Sequence, residues 1–493
     1  MDETVPLLRD EALDVPIKPS RTGSDIVDFE RKGDPDNPRD WPNSYKWAVV
    51  GMLAFMSFTV TFTCISVVPI ANRMISDLNG GESEKSASVL LVTIWELGEA
   101  AGPLFIAPLS EVVGRYPVIN ACNVLFIFAT ILASVSQSTS LLIGARALTG
   151  LAVATNVLNP AIVGDIFIEE HRGSAMSLIM LAPLVGGAIG PAISGAIAQD
   201  LGWRKVLLMS AILSGVAEIL FLLCFSETYQ VAILRRRAAK LRKETGIVTL
   251  RTAFDAKDEG SSNKFRDSIM RPVLVYLDSS VLQAISMFGS LIFTYFYILS
   301  TTLPDILMDI YGLSPALTGV SFISFSAGSI FSILALNLYL DRIFVRLRKS
   351  NNGIGLPEYR LPLAIVGAFS MPFLIAAFGW IAELRLPLPL LLFTLALIGN
   401  STMLGFLPVT AYVVDAAKLY AASAMTALIV TRCLIGTFLP LTTAPLVRKF
   451  GYGLAFTILG GASLVLAPIP VVVFRYGAKW RKGSQYTRDN ADD

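Results

Sequence analysis

Long apolar segments recur along the chain from residue 47 to residue 475. A bilayer core about 30 Å thick is crossed by about 20 apolar residues in a helix, and twelve segments reach that length. Gly and Pro inside many of them are typical of membrane helices. The pattern predicts an all-α polytopic membrane protein with twelve spans, at residues 47–69, 87–108, 117–135, 140–163, 174–198, 206–226, 273–301, 316–338, 360–380, 387–411, 424–447 and 453–475.

The composition excludes several classes of protein. Only 16% of the 493 residues are charged and 54% are hydrophobic, whereas soluble domains carry about 25% charged residues. A soluble enzyme, a nucleic-acid binder and a disordered scaffold are therefore disfavoured, and the net charge of +2 gives no attraction to nucleic acid. His171 is the single histidine, and the four cysteines are scattered in apolar segments. We expect no enzyme, no metal site and no cofactor.

The distribution of Lys and Arg predicts the orientation in the membrane. Of the 40 basic residues, 31 lie in the loops and tails on the side of the termini and 7 lie in the loops of the opposite side. The positive-inside rule then places both termini in the cytoplasm. The predicted organisation is an N-terminal tail, a first bundle, a cytoplasmic central loop, a second bundle and a C-terminal tail, at residues 1–46, 47–226, 227–272, 273–475 and 476–493.

The first part of the central loop, residues 231–246, is basic and amphipathic. Two interpretations stay open: a helix lying on the anionic inner leaflet, or a solvated linker.

The two halves of the chain repeat each other. Ser-Ala-Met occurs at residues 174–176 and again at 423–425, a shift of 249. Five more pairs occur in the same order at that shift or within one residue of it. The repeat predicts two pseudo-symmetric six-helix bundles with a site between them. The pairs are Asp165 with Asp415, Gly187 with Gly436, Pro191 with Pro440, Gly202 with Gly451, and Trp203 with Tyr452.

Two glutamates lie near the middle of span 2. Glu96 and Glu99 are three residues apart, so they share one helix face. Carboxylates at mid-membrane are costly unless they are protonated, paired or hydrated. Arg146 in span 4 begins about four residues shallower, within reach of a partner carboxylate. We expect either a proton-exchanging group formed by these three residues or a purely structural ion pair. Glu218 in span 6 has no role in this scheme.

The loop after span 2 reads APLSEVVGRYP. Gly114 permits a tight turn between two antiparallel helices, and Glu111 and Arg115 place opposite charges there. Asp165 at the same end of span 4 is a further partner for Arg115. The loop resembles the cytoplasmic signature of the major facilitator superfamily. These four residues are expected to form a latch that holds one conformation and opens in another.

Two further segments resemble superfamily motifs. ARALTGLAVATN in span 4 matches an Arg-x-x-x-Gly pattern at Arg146, and this resemblance implies a part in proton coupling. PLVGGAIGPAISGAIA in span 5 resembles the Gly-Pro signature of exporters. Small residues spaced by four allow close helix contact, and proline bends the helix. The matching positions of this helix-packing motif are Gly186, Gly190, Pro191 and Gly195.

Three other segments, DPDNPRDWPNSYKW, LPEYRLP and LYAASAM, are similar to fungal members of the twelve-span drug:proton antiporter family. The resemblance covers residues 34–482. It implies a monomeric secondary active transporter that exports amphipathic small molecules, such as a drug, toxin or secondary metabolite, by proton antiport. Polar, charged and aromatic residues of the later spans and of span 4 are expected to line its substrate cavity. They are Asn156, Gln283, Phe288, Asn400 and Arg432.

Other functions remain to be weighed against export. Uptake, by facilitated diffusion or proton symport, is an alternative within transport. A nutrient-sensing transceptor is an alternative of another class, and the tails of 46 and 18 residues argue against it. The plasma membrane is the expected location. The vacuolar membrane is second, because Glu3 followed by Leu7 and Leu8 fits an acidic dileucine sorting pattern.

Overall fold

The computed structural model describes residues 26–29, 34–82, 84–153, 155–247, 249–252, 254 and 264–487. Within these ranges the side chains of residues 155–157, 169–170, 264–268 and 419 are not described. The sorting pattern at Glu3 lies outside the described residues.

The described part of the first half forms nine α-helices. Apolar residues dominate all of them except α2 and the basic α9. They are α1 (Asn43–Ile65), α2 (Ala71–Leu78), α3 (Lys85–Val113), α4 (Arg115–Ser134), α5 (Thr139–Leu151), α6 (Thr155–Ile166), α7 (Glu169–Leu201), α8 (Trp203–Cys224) and α9 (Gln230–Thr245).

The described part of the second half forms eight more. They are α10 (Lys264–Asp278), α11 (Ser280–Asp305), α12 (Pro315–Ser350), α13 (Pro362–Glu383), α14 (Leu388–Ala417), α15 (Ala421–Phe438), α16 (Thr443–Leu466) and α17 (Ile469–Arg481).

The membrane-spanning fold predicted from sequence is confirmed. Among the described residues, ten helical segments are long and apolar enough to cross a membrane. One of them, Ala421–Arg481, contains two spans, because Gly451 breaks α16 between span 11 and span 12. Span 4 is formed by the shorter helices α5 and α6. The twelve spans in order are α1, α3, α4, α5 with α6, α7, α8, α11, α12, α13, α14, α15 with the start of α16, and the rest of α16 with α17.

One boundary differs from the sequence prediction. Span 7 begins at α11 and not within α10, because the Ser279 side chain accepts a hydrogen bond from the Leu282 N–H and caps a new helix there. The loop between spans 6 and 7 therefore contains both α9 and α10. Leu234 and Ala238 of α9 are fully buried against the protein.

The two halves are packed in the same way. In the first half α1 packs on α7, α3 on α5 and α4 on α8; in the second half the equivalent pairs are α11 with α15, α12 with α14 and α13 with α16. The two most extensive contacts between the halves are α7 with α12 and α3 with α15, and the pseudo-symmetry relates one to the other. Gly202 and Gly451, which the repeat pairs, both have positive φ, 84° and 73°. Each forms the turn before the last span of its half.

Both ends of the described chain and the central loop lie on one face. Ile26–Val27 pairs in parallel with Arg251–Thr252 of the central loop. Asp34 forms an ion pair with Arg237 of α9. Ser484 Oγ donates to Asp278 Oδ2 at the end of α10, at 2.6 Å. We call this the terminal face, and the opposite side of the membrane region the distal face.

Candidate functional site

A buried charge cluster lies where the two halves meet. Glu96 and Glu99 of α3 are 0% and 1% exposed. Arg432 Nη2, from α15 of the other half, is 2.9 Å from Glu99 Oε1 and 3.8 Å from Glu96 Oε1. The Tyr297 hydroxyl of α11 donates to Glu96 Oε1 at 2.7 Å. We call these four residues the central cluster; it ties span 2 of the first half to spans 7 and 11 of the second.

The central cluster contains two carboxyl groups and one guanidinium. The three side chains sum to zero charge only when one carboxyl is protonated, and a buried net charge is costly in a membrane. The oxygens of Glu96 and Glu99 and the sulfur of Cys433 lie within 4.8 Å of one another. This donor set is one that a cation can use, but Arg432 already supplies the positive charge beside both carboxyls. The arrangement therefore fits a proton better than a metal ion.

The structure places Arg146 elsewhere. Its side chain is 1% exposed, and Nη2 donates to the Cys64 carbonyl of span 1 at 2.8 Å. Within the described part of the chain, Nε and Nη1 make no hydrogen bond. The arginine beside Glu96 and Glu99 is thus Arg432, for which the sequence predicts a place in the substrate cavity. Arg146 and the glutamates have similar depth, but α5 directs the guanidinium toward α1.

A cluster of aromatic rings adjoins the charges. The ring centres of Phe293 and Phe406 lie 5.0 Å apart and those of Phe296 and Phe325 lie 5.1 Å apart, both pairs in a tilted arrangement. The Arg432 guanidinium carbon lies 4.7 Å from the centre of the Phe293 ring. These rings from α11, α12 and α14 were missed from sequence. The run FTYFY at residues 293–297 was the available signal, because Phe293, Phe296 and Tyr297 share one helix face.

The other expected cavity residues do not join this cluster. Gln283 Nε2 donates to the carbonyls of Tyr276 and Leu277, at the junction of α10 and α11 near the terminal face. Phe288 is 1% exposed in the core of the second half. Asn400 is half-buried in α14. The side chain of Asn156 lies outside the described residues.

The latch residues gather on the terminal face. Arg115 Nε is 3.4 Å from Asp165 Oδ2, and Arg115 also donates to the Ser110 hydroxyl. The Arg115 guanidinium carbon lies 4.8 Å from the centre of the Tyr229 ring. Burial raises the pKa of the Tyr229 hydroxyl, and the Glu111 charge adds to this. Glu111 itself is exposed, so Asp165 is the partner the structure gives to Arg115.

Glu227 also belongs to the group around Arg115, and the sequence did not single it out. Its Oε1 accepts from the backbone N–H groups of Arg115 at 2.8 Å, Thr228 at 3.1 Å and Tyr229 at 3.0 Å. Its Oε2 accepts from the N–H of Tyr116 at 3.3 Å. The carboxylate therefore caps the N-terminus of α4, where free N–H groups and the helix dipole favour an anion. Gly114 has no room for a Cβ atom beside the Glu227 carboxylate.

The second half carries an equivalent group. Arg360 Nε donates to Asp415 Oδ2 at 2.9 Å, and its Nη1 pairs with Asp341. Burial lowers the pKa of Arg360, but the carboxylates of Asp415 and Asp341 outweigh it and the net direction is upward. Asp415 is the residue that the repeat pairs with Asp165. The pseudo-symmetry thus extends to the ion pairs of the terminal face.

The helix-packing motif of span 5 serves two contacts. A Cβ at Gly186 would lie 2.7 Å from the Phe58 carbonyl, and one at Gly190 would lie 3.1 Å from the Phe62 carbonyl, so both glycines let α7 approach α1. Gly195 has no room for a Cβ beside the Pro315 carbonyl of α12. The Pro191 carbonyl lies against Gly319 of α12 in the same way. The motif therefore also brings the two halves together.

Comparisons with known proteins identify the family of the chain. The family model described as Major Facilitator Superfamily matches residues 49–440. The chain is 33% identical over 471 residues to the MFS transporter cpaT of Aspergillus oryzae, covering 95% of this chain and 94% of that one. It is 31% identical over 487 residues to the efflux pump radE of Floropilus chiversii, covering 98% and 90%.

Solved structures show the same fold. A D-xylose–proton symporter superposes with a TM-score of 0.63 at 14% identity, covering 86% of this chain and 97% of that one. A bacterial homologue of the human lysosomal transporter Spinster, in an inward-facing and occupied conformation, gives 0.64 at 14% identity, covering 91% and 100%. With its twelve spans, its paired halves and a family match over most of its length, the chain belongs to the Major Facilitator Superfamily of membrane transporters.

Proposed function

We propose that this transporter exports amphipathic small molecules by proton antiport and alternating access. The central cluster is the observation that carries the proposal. Glu96, Glu99, Arg432 and Tyr297 join the two halves at mid-membrane, so any motion that separates the halves there changes the surroundings of both carboxyls. Export in preference to uptake is supported by the span 5 motif and by a relative named as an efflux pump.

Proton binding by the central cluster is supported by the balance of its charges. When the cluster is closed, Arg432 neutralises one carboxylate and a bound proton neutralises the other. Opening toward water lowers the cost of a second carboxylate, so the proton leaves on the side to which the cluster opens. A cation or polar group of a substrate that approaches the carboxyls has the same effect. Proton and substrate then compete for the central cluster, which is the requirement for antiport.

The aromatic rings indicate the class of substrate. Phe293, Phe296, Phe325 and Phe406 provide an apolar surface directly beside the central charges. An amphipathic molecule can place its apolar part on the rings and its polar part at the carboxyls. Drugs, toxins and secondary metabolites of mixed polarity belong to this class.

Further parts of the proposal concern setting and mechanism. The terminal face is cytoplasmic, in keeping with the excess of basic residues on that side. The latches around Arg115 and Arg360 hold the cytoplasmic ends of the spans in one conformation and rearrange in the other. The protein acts as a monomer in the plasma membrane, and it is a transporter and not an enzyme.

Reconstituted protein tests proton coupling. Vesicles with an acidic interior are given rhodamine 6G, an amphipathic cation, and dye accumulation is followed through molecules whose cytoplasmic face points outward. We expect Glu96→Gln, Glu99→Gln and the double variant to lose accumulation driven by the pH gradient, while exchange of dye at equal pH persists.

Glu218→Gln is the matched control. Glu218 is also a buried membrane carboxyl, but Asn123 Nδ2 donates to it at 2.7 Å within the first half, away from the central cluster. It should keep full coupling. Parent protein that shows no pH-driven movement, or a double variant that keeps it in full, would contradict proton antiport through these glutamates.

A further inference from the structure

A second tie between the halves lies at the distal face. Lys85 begins α3 in the first half, and Asp305 ends α11 in the second. Lys85 Nζ is 2.8 Å from Asp305 Oδ2. The Asn72 side-chain amide of α2 donates to the other carboxylate oxygen, Oδ1. Both oxygens of one second-half carboxylate are thus held by first-half side chains.

The contact between Lys85 and Asp305, which we call the distal tie, joins two helices that the central cluster also joins, α3 and α11. Glu96 lies 11 residues beyond Lys85 on α3, about 16 Å along the helix. Tyr297 lies 8 residues before Asp305 on α11, about 12 Å along it. Spans 2 and 7 are therefore joined once at mid-membrane, by Tyr297 and Glu96, and once at the distal end, by Lys85 and Asp305. A path from the distal side to the central cluster between these two helices therefore passes the distal tie.

A small cavity lies at this tie. Its volume is about 160 Å³, and it is lined from both halves, by Ser88 and Val92 of span 2, Thr301 of span 7 and Val447 at the end of span 11 among others. Pockets for drug-sized ligands measure about 300–1,000 Å³. The cavity is thus too small for a drug-sized molecule to pass while the ion pair is closed.

We propose that Lys85 and Asp305, assisted by Asn72, form the distal gate of the transporter, which must open for substrate to leave or enter on that side. The ion pair holds the distal ends of spans 2 and 7 together in the present conformation. Its opening is a step of alternating access in either direction of transport. The inference does not depend on proton coupling.

Accessibility of a cavity residue tests the gate without any substrate. Ser88→Cys places a thiol in the cavity, and the purified full-length protein in nanodiscs is treated with a membrane-impermeant maleimide. The rate of modification at residue 88 is followed by peptide mass spectrometry, so the native cysteines do not interfere. Partly exposed ion pairs of this kind shift an equilibrium by up to about fivefold. We expect Lys85→Gln and Asp305→Asn each to raise the rate by about fivefold.

Two further variants make the result specific. The charge-exchanged double variant, Lys85→Asp with Asp305→Lys, should return the rate to within about twofold of the parent, which shows that loss of the ion pair, and not substitution at either position, raises the rate. Arg73→Gln is the matched control, because Arg73 donates to the Ala198 carbonyl within the first half. It should leave the rate unchanged.

The outcomes separate this inference from the proposed function. The gate proposal would be refuted if Lys85→Gln and Asp305→Asn were labelled at the parent rate. It would also be refuted if the charge-exchanged double variant were labelled as fast as the single variants. The labelling test does not depend on the result of the Glu→Gln transport test. Normal proton coupling in the parent, together with unchanged labelling in the Lys85 and Asp305 variants, would refute the distal gate and leave the proposed function standing.

Discussion

Replacing the Glu227 carboxylate by an amide is expected to release the start of α4. In Glu227→Gln the side chain keeps its shape, but one oxygen becomes an NH2 group and the charge is lost. An amide oxygen at the Oε1 position still accepts from the Arg115 N–H. The NH2 group then faces the Tyr116 N–H, which loses its acceptor.

The size of the effect follows from the contacts. Hydrogen bonds to a charged acceptor contribute about 1.5–3 kcal/mol each and neutral ones about 0.5–1.5 kcal/mol. The Glu227 side chain is 8% exposed, so solvent screens it little. The substitution weakens the bonds to Arg115 and Tyr116 and removes the favourable interaction of the charge with the helix dipole. Together these changes should lower the free energy of local opening at the start of α4 by about 2–3 kcal/mol. This corresponds to about a 30- to 150-fold increase in local opening.

Hydrogen exchange measures this opening directly. Amide protons exchange through local opening, and their rates report its free energy. We expect the Arg115 and Tyr116 amides to exchange about 30- to 150-fold faster in Glu227→Gln than in the parent, whereas amides in the middle of α4 should not change.

Glu111→Gln is the control, because it removes the same charge from the same loop at an exposed position. Unchanged exchange at Arg115 and Tyr116 in Glu227→Gln would refute the capping role. Equal acceleration in Glu111→Gln would show that loop charge in general, and not the cap, governs opening.

Two further substitutions test packing and a buried ion pair. Gly150→Ala should lower the free energy of unfolding by about 1–3 kcal/mol, because a Cβ there meets the backbone of span 2; Gly144→Ala, with open space on the same helix, should be neutral in thermal unfolding. Arg481→Gln should cost about 3–5 kcal/mol, because it leaves the Glu358 carboxylate buried without its partner at 2.9 Å. Lys479→Gln, at an exposed position of the same helix, should leave the unfolding temperature within error of the parent.

Much of the fold was determined by local chemistry along the chain. Apolar length decides which segments cross a bilayer, and this does not depend on what they pack against. The repeat has a similarly local basis, because the turns before spans 6 and 12 need a residue that tolerates positive φ, and glycine stands at both, Gly202 and Gly451. The sequence predicts the pairing of Arg115 with Asp165, because the start of span 3 and the end of span 4 lie on the same side of the membrane.

The partners of the buried charges were decided by the tertiary structure alone. A carboxylate at mid-membrane is costly without a partner, so its presence predicts one. The sequence does not show which residue it is, because it does not show how the helices are rotated about their axes. Arg146 and Arg432 both lie within spans. The packing of α3 on α15 brings Arg432 to Glu99 across 333 positions, while α5 directs Arg146 toward α1. Lys85 and Asp305 meet for the same reason, since a contact between halves depends on how two separately folded bundles dock.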